Sequence, residues 1–323
     1  MHLQMNEPAM TIAPDSGVES VLREDLARGD AMLATLGPVL RHLVASDAQS
    51  VFGDEVIARV RGMVADLAGQ LLRELDGNGS ATEASFDPRR ADRMAAMLIA
   101  SPPLLAHVHA LALEGLLAER LQAQVALDPV LPPLLQALVS SADATTSALA
   151  MKLLAAQSRF VQAQRRMSHP LTELPGDLLH GCLLALGAYA AEAGTADAAM
   201  AERAIRARYD EAACRLGLAA RLVMGMGAGA VAALSLTHAG PALFLTALAL
   251  AGGHDRDLAV FATNEDQAAR LVLVLRAAGL KPQAVAEQFL VLHPDRPLPQ
   301  GLDSLGVDRA SALLAVAGGL PVS

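Results

Sequence analysis

Apolar residues recur every three or four positions along almost the whole of this 323-residue chain, and Pro, Gly and Asp interrupt them at intervals. This spacing places apolar side chains on one face of an α-helix. No run of alternating apolar and polar β-branched residues is long enough for a sheet. Alanine fills about a fifth of the positions and aromatic residues only 2%, a mixture that favours helices. We therefore predict an all-α fold.

The middle of the chain has the layout of an antiparallel helix pair. Two prolines, Pro132 and Pro133, open a short helix. A turn at Ser140–Asp143 then caps a longer helix that ends near Met167. Stacked pairs of this kind form HEAT-like solenoids, whose repeats contain roughly 40 residues. We predict antiparallel helix pairs stacked either as a HEAT-like α-solenoid or as a multi-helix array.

Loop signals divide the chain into four regions. We predict a flexible N-terminal tail over 1–17, an N-terminal helical region over 18–100, a central HEAT-like region over 101–194 and a C-terminal helical region over 195–323. The tail lacks a basic segment followed by an apolar one, so we expect no signal peptide.

The charge balance and the cysteines restrict the partners and the compartment. The chain has 25 basic and 34 acidic residues and a net charge of −9, which repels phosphate backbones. We therefore expect no nucleic-acid partner. Two isolated cysteines, Cys182 and Cys214, are typical of a reducing compartment, and we predict a cytoplasmic protein.

One long segment carries no charge. From Leu222 to Gly253, 32 residues contain no Asp, Glu, Lys or Arg. The sequence His238–Pro241 divides this segment into halves shorter than the roughly 20 apolar residues of a membrane span. We expect two buried core helices and no stable membrane insertion. In an alternative interpretation, residues 222–250 line a pocket for an apolar ligand, with His238 as the polar contact.

Two segments resemble a known bacterial family. The matching sequences are Ser158–Met167 with Pro170–Leu179, and then His238–Leu292 with its marks Gly240-Pro241, Gly252–Asp255 and Arg276–Gly279. They are similar to the family of helical, HEAT-like proteins known as domain of unknown function 2336. The resemblance covers about the last two thirds of the chain. It implies helical repeats and a cytoplasmic bacterial protein, with no known reaction and no catalytic residues.

The long helix from Asp143 to Met167 carries the most informative surface. The spacing predicts a core-facing side made of Leu149, Leu153, Ala156, Phe160 and Met167. Another face carries Lys152, Arg159 and Arg166 at intervals of seven, with Gln162 beside them. We call these four residues the basic ridge. The ridge is either a solvated helix face or a binding surface for an acidic or phosphorylated protein segment.

A small polar cluster follows that helix. We predict that His169, Glu173 and His180 lie close together, and a histidine beside a carboxylate is a combination used in acid–base catalysis. Asp177, in the same turn, is typical of a helix start. No nucleophile, nucleotide-binding or zinc motif occurs, and in a helix His107 and His109 point apart. We therefore predict no enzyme activity, no cofactor and no metal site.

These observations favour a non-enzymatic, cytoplasmic helical scaffold that mediates protein–protein interaction in signalling or regulation. The alternative is a small-molecule binding or sensory module that uses the apolar 222–250 region. The uncharged last helix, which we expect over Ala310–Leu320, either packs into the body or forms a contact in a homo-oligomer.

Overall fold

The computed structural model describes residues 17–45, 54–77, 87–194 and 198–317. These ranges are helical and contain no strand, which confirms the predicted all-α fold. The helices are α1 (Gly17–Ala45), α2 (Asp54–Leu75), α3 (Pro88–Ile99), α4 (Pro102–Val125), α5 (Pro133–Val139), α6 (Ala144–Arg165), α7 (Gly176–Ala193), α8 (Ala198–Arg208), α9 (Arg215–Gly225), α10 (Leu236–Gly252), α11 (Arg256–Phe261), α12 (Ala268–Ala277), α13 (Pro282–Leu292) and α14 (Val307–Ala317).

Local sequence signals account for several helix boundaries. The side chain of Asp87 accepts a hydrogen bond from the backbone N–H of Arg89, and Pro88 is the first residue of α3. Asp143 caps α6 in the same way, through the N–H of Thr146 at 2.8 Å. Helix α2 buries one face, which contains Val60, Met63, Leu67, Leu71 and Leu75.

Helix α4 lies between two clusters of buried apolar side chains. The first cluster contains the first half of α1 together with α5, α6 and α9–α14, and α4 contributes Leu117 and Leu121 to it. The second contains the end of α1 with α2, α3, α7, α8 and Phe160 of α6, and α4 contributes Val108 and Ala112. Polar side chains on α4 therefore lie where the two clusters meet.

The two ends of the described chain pack together. Helix α1 contacts both α12 and α14, and Arg309 of α14 forms an ion pair with Glu19 of α1. In a solenoid each repeat contacts only its neighbours along the chain. These contacts fit the multi-helix array better, and the HEAT-like stack and the division into regions stay predictions. The predicted tail lies outside the described residues except for Gly17.

Only the second half of the uncharged segment from Leu222 to Gly253 forms the buried helix that was expected. Helix α10 is buried from Ala239 to Ala249 and bends at Gly240, where a break was predicted. The first half is not a buried helix: α9 ends at Gly225, and a 3-10 helix over Gly227–Leu234 follows and is largely exposed. Within the described ranges, no single helix is long and apolar enough to cross a membrane, although two sharply bent helix pairs reach the required length together.

One residue of the predicted core-facing side and the start of the last helix differ from the prediction. Met167 lies beyond the end of α6 in a left-handed conformation (φ 52) and is 39% exposed, so it is not a core residue. Its backbone turn packs against Gly62 of α2, where there is no side chain to obstruct it. At the C-terminus, α14 begins at Val307, and residues 318–320 of the predicted last helix lie outside the described residues. Helix α14 packs against α1 and α12, and homo-oligomerisation stays a prediction.

Candidate functional site

A buried carboxylate on α4 lies at the junction of the two apolar clusters. Glu114 is 1% exposed, and its two oxygens accept hydrogen bonds from Arg215 of α9 at 2.7 and 2.9 Å. Arg256 of α11 donates to the same two oxygens at 2.8 and 2.9 Å. Burial by itself would raise the pKa of Glu114, but the two guanidinium groups hold that pKa well below its usual range. This Arg–Glu–Arg network joins α4, α9 and α11.

Arg215 also connects the network to α6. Its guanidinium lies 3.7 Å above the ring of Phe160 and donates a hydrogen bond to the side chain of Gln157 at 3.3 Å. Its backbone N–H donates to Oε2 of Glu173 at 2.7 Å. Arg215 is therefore fixed at both its backbone and its side chain, next to the C-terminal half of α6.

A cavity of about 170 Å³ lies beside Arg215. Its lining residues come from α4, α6, α9 and the turn between α6 and α7, and they are Leu111, Arg159, Phe160, Ala163, His169, Pro170, Thr172, Glu173, Arg215 and Leu216. Arg159 and Glu173 carry opposite charges at this cavity, with nitrogen and oxygen 3.8 Å apart. The cavity therefore combines an apolar wall with a pair of opposite charges at its edge.

His169 holds the turn that closes one side of this cavity. Its backbone N–H donates to Asp66 of α2 at 3.0 Å, and its carbonyl oxygen accepts from Gln70 at 2.8 Å. Its ring is buried beside the ring of His107, which lies 3.0 Å from Asp257. Burial, together with the nearby His107 and Arg215, lowers the pKa of His169 to about 3, so the ring is neutral at physiological pH.

The structure brings together only part of the predicted polar cluster. His169 and Glu173 line the same cavity, whereas His180 does not line it. His180 is an exposed residue of α7, and its Nδ1 lies 3.3 Å from Arg206 of α8. His180 lies outside this cavity, because α7 buries Leu179 and so turns the next residue to the surface. Asp177 lies in the first turn of α7, as expected.

All four residues of the basic ridge are exposed. From Lys152 to Arg166 the ridge is about 21 Å long, at the rise of an α-helix. Arg159 faces Glu173 at 3.8 Å, whereas Lys152 and Arg166 form no ion pair with any residue that the structure describes. Arg166 is the C-cap of α6, where the helix dipole favours a positive charge.

The apolar 222–250 region does not form a ligand-sized pocket where it meets α5 and α6. A cavity there touches residues 239–243 and measures about 10 Å³, the room that a single water molecule needs. His238, the predicted polar contact, is exposed. Ligand binding by this region stays a prediction that this geometry does not favour.

Metal binding finds no support among the described residues, in which no group of three or more His, Cys, Asp or Glu side chains could hold an ion. His107 contacts Asp257, and His109 packs against the ring of Phe261 with centroids 5.4 Å apart. Burial lowers the pKa of His109 to about 4.

The sequence analysis missed the buried network of Glu114, Arg215 and Arg256. A signal was available for one member, because Glu114 is the only Asp, Glu, Lys or Arg residue between Pro102 and Ala118. A single charge in an apolar helix predicts a buried ion that needs a partner. The two arginines gave no comparable signal, since each lies at a helix start, where a charged residue is common.

These features define an all-helical protein with a buried Arg–Glu–Arg network, a small cavity and an exposed basic helix face. The chain was compared with family models, with curated proteins and with solved structures, and none of the three comparisons gives a match. The resemblance to domain of unknown function 2336 therefore stays a prediction.

Proposed function

We propose that this protein is a non-enzymatic, cytoplasmic helical scaffold that binds another protein through the basic ridge. The partner presents an acidic or phosphorylated segment, and the interaction belongs to signalling or regulation. The observation that carries this proposal is the exposed row of Lys152, Arg159, Gln162 and Arg166, on a chain whose net charge is −9. A basic strip on an acidic protein selects acidic partners and repels others.

The helix beneath the ridge supports this role. On its inner side α6 buries Leu153, Ala156 and Phe160, and it packs against α4, α5 and α9. The ridge is therefore held on a rigid element, which lowers the entropy lost when a partner binds. The guanidinium groups of the ridge favour bidentate pairing with carboxylates or phosphates.

The competing interpretation is a solvated helix face whose cations stabilise the C-terminal end of α6 through the helix dipole. The two interpretations differ in what charge reversal does. A solvated face tolerates reversal with a small loss of stability, whereas a binding surface loses its partner.

The test is an affinity pull-down from a bacterial lysate with identification of the captured proteins by mass spectrometry. The bait is compared with a variant carrying Lys152→Glu, Arg159→Glu and Arg166→Glu. We expect a partner with an acidic or phosphorylated segment that the unaltered protein captures and the variant loses. We expect added salt to weaken the capture, because the attraction between exposed charges is screened.

The matched control reverses three other exposed cations, Arg41, Lys281 and Arg203, and so changes the net charge by the same amount. None of these three forms an ion pair with a described residue. Capture that survives in the control and is lost in the ridge variant supports the proposal. Equal capture by all three baits, with each shown to be folded by circular dichroism, would contradict it.

A further inference from the structure

The cavity beside α6 has one positive and one negative side chain at its edge, and these two side chains are not hydrogen-bonded to each other. The closest nitrogen of Arg159 and oxygen of Glu173 are 3.8 Å apart, which is longer than a hydrogen bond. Arg159 has a side chain that is 62% exposed, and Glu173 one that is 19% exposed. One oxygen of Glu173 accepts the backbone N–H of Arg215, and the other accepts no hydrogen bond from a described residue.

Behind this pair, the wall of the cavity is mainly apolar. Leu111, Phe160, Ala163 and Leu216 contribute to it, together with Pro170. The volume of about 170 Å³ is close to that of an engineered protein cavity of roughly 150 Å³ that binds benzene. The interior therefore has room for a branched aliphatic group or a phenyl ring, and it is too small for a typical cofactor.

Two buried polar residues complete the wall. His169 and Arg215 are each 3% exposed, and Nε2 of His169 has no hydrogen-bond partner among the described residues. Arg215 is locked by Glu114 and Phe160 and cannot swing into the space. Arg215 therefore forms a fixed part of the wall.

We propose that this cavity binds a free α-amino acid with an apolar side chain of the size of leucine or phenylalanine. The carboxylate of the ligand pairs with Arg159, its ammonium group pairs with Glu173, and its side chain enters the apolar interior. This inference does not depend on the proposed scaffold function.

The charge pattern selects a zwitterion over simpler ligands. A simple anion at Arg159 lies beside the carboxylate of Glu173, and a simple cation at Glu173 lies beside the guanidinium of Arg159. In both cases, a like charge within a few ångströms opposes binding. A molecule that carries an ammonium group and a carboxylate on the same carbon satisfies both side chains at once.

The first test is isothermal titration calorimetry of the full chain with L-leucine and L-phenylalanine. Two analogues of leucine each lack one charge: 4-methylpentanoate has no ammonium group, and 3-methylbutylamine has no carboxylate. We expect at least one of the two amino acids to bind, and each analogue to bind at least tenfold more weakly than leucine. If neither amino acid binds at millimolar concentration, or if the analogues bind as well as leucine, the proposal is wrong.

Three variants separate a direct contact from a loss of structure. Glu173→Gln keeps an oxygen for the N–H of Arg215, and it should weaken leucine binding at least tenfold. It should strengthen 4-methylpentanoate binding, because the like charge that opposes this anion is removed. Arg159→Met alters an exposed side chain, and it should weaken leucine binding but not 3-methylbutylamine binding. Lys152→Met removes the same charge from the same helix outside the cavity and should change nothing. The assigned contacts are wrong if Glu173→Gln weakens the binding of leucine and of 4-methylpentanoate equally. They are also wrong if Arg159→Met weakens the binding of leucine and of 3-methylbutylamine equally.

Discussion

At the scale of single residues, the strongest constraint is that a buried charge needs a partner. Glu114 satisfies this requirement with two arginines that lie about 100 and 140 positions away in the sequence. Buried arginines elsewhere follow the same rule: Arg270 pairs with Asp30, and Arg276 donates to the carbonyl oxygens of Leu280 and Leu305. Three of these arginines pair with residues on helices that are distant in the sequence, and they are Arg215, Arg256 and Arg270.

We expect Glu114→Gln to lower the free energy of unfolding by about 3–5 kcal/mol, because it leaves the buried guanidinium of Arg215 and the half-buried guanidinium of Arg256 without a counter-charge. Urea denaturation followed by circular dichroism measures this change. The control is Glu202→Gln, which removes one partner of an exposed i,i+4 ion pair with Arg206 and should cost less than about 0.5 kcal/mol. A similar small loss for both variants would mean that the network does not stabilise the fold.

At the scale of elements, the bend in α10 shows how a backbone conformation positions a buried helix. Gly240 has φ 70 and ψ 165, outside the helical region, and Pro241 follows it. A Cβ atom at this position would lie 2.8 Å from Cγ of Pro132, in the loop before α5. The absence of a side chain therefore permits both the backbone angle and the close approach of the loop before α5.

We expect Gly240→Ala to destabilise the protein by at least about 2 kcal/mol, from the left-handed backbone together with the steric clash. The midpoint of thermal unfolding is the measurement. Gly187, inside α7, has open space around it, and a Cβ atom added there would meet no neighbouring atom within 4 Å. Gly187→Ala should therefore stabilise the protein, by about 0.5–1 kcal/mol. Changes of the same sign in both variants would contradict the explanation.

At the scale of the whole molecule, α1 and α4 each contribute to both apolar clusters. Leu22 and Leu40 of α1 belong to different clusters, as do Leu121 and Val108 of α4. Because α1 and α4 belong to both clusters, unfolding of one cluster removes packing contacts from the other. The described residues are therefore expected to unfold as one cooperative unit.

The substitution Leu71→Ala tests this coupling, since Leu71 is fully buried in the second cluster. The cavity that it leaves should cost about 2–5 kcal/mol. Hydrogen exchange measured by mass spectrometry should then be faster by similar factors in α2 and in α12, which belongs to the first cluster. Faster exchange in α2 alone would show that the clusters open independently. Leu184→Ala, at a position of α7 that is 62% exposed, serves as the control.

Local signals in the sequence were sufficient for much of the helical layout. The cap at Asp143 agrees with prediction because it depends on residues within one turn of each other. The same reasoning predicted that Lys152, Arg159 and Arg166 share one exposed face. It failed at Met167, where packing against α2 ends α6 early.

The candidate site depended on longer-range contacts. His169 and Glu173 were predicted to be neighbours, but nothing near them in the sequence indicated Arg215, Leu111 or the cavity between them. The sequence alone determined the all-α class, the starts of α5 and α6 and the exposure of the basic ridge, because helix formation and amphipathic burial follow from short-range spacing. Only the tertiary structure decided which charges meet, since Glu114, Arg215 and Arg256 are brought together by the packing of three helices that lie far apart in the chain.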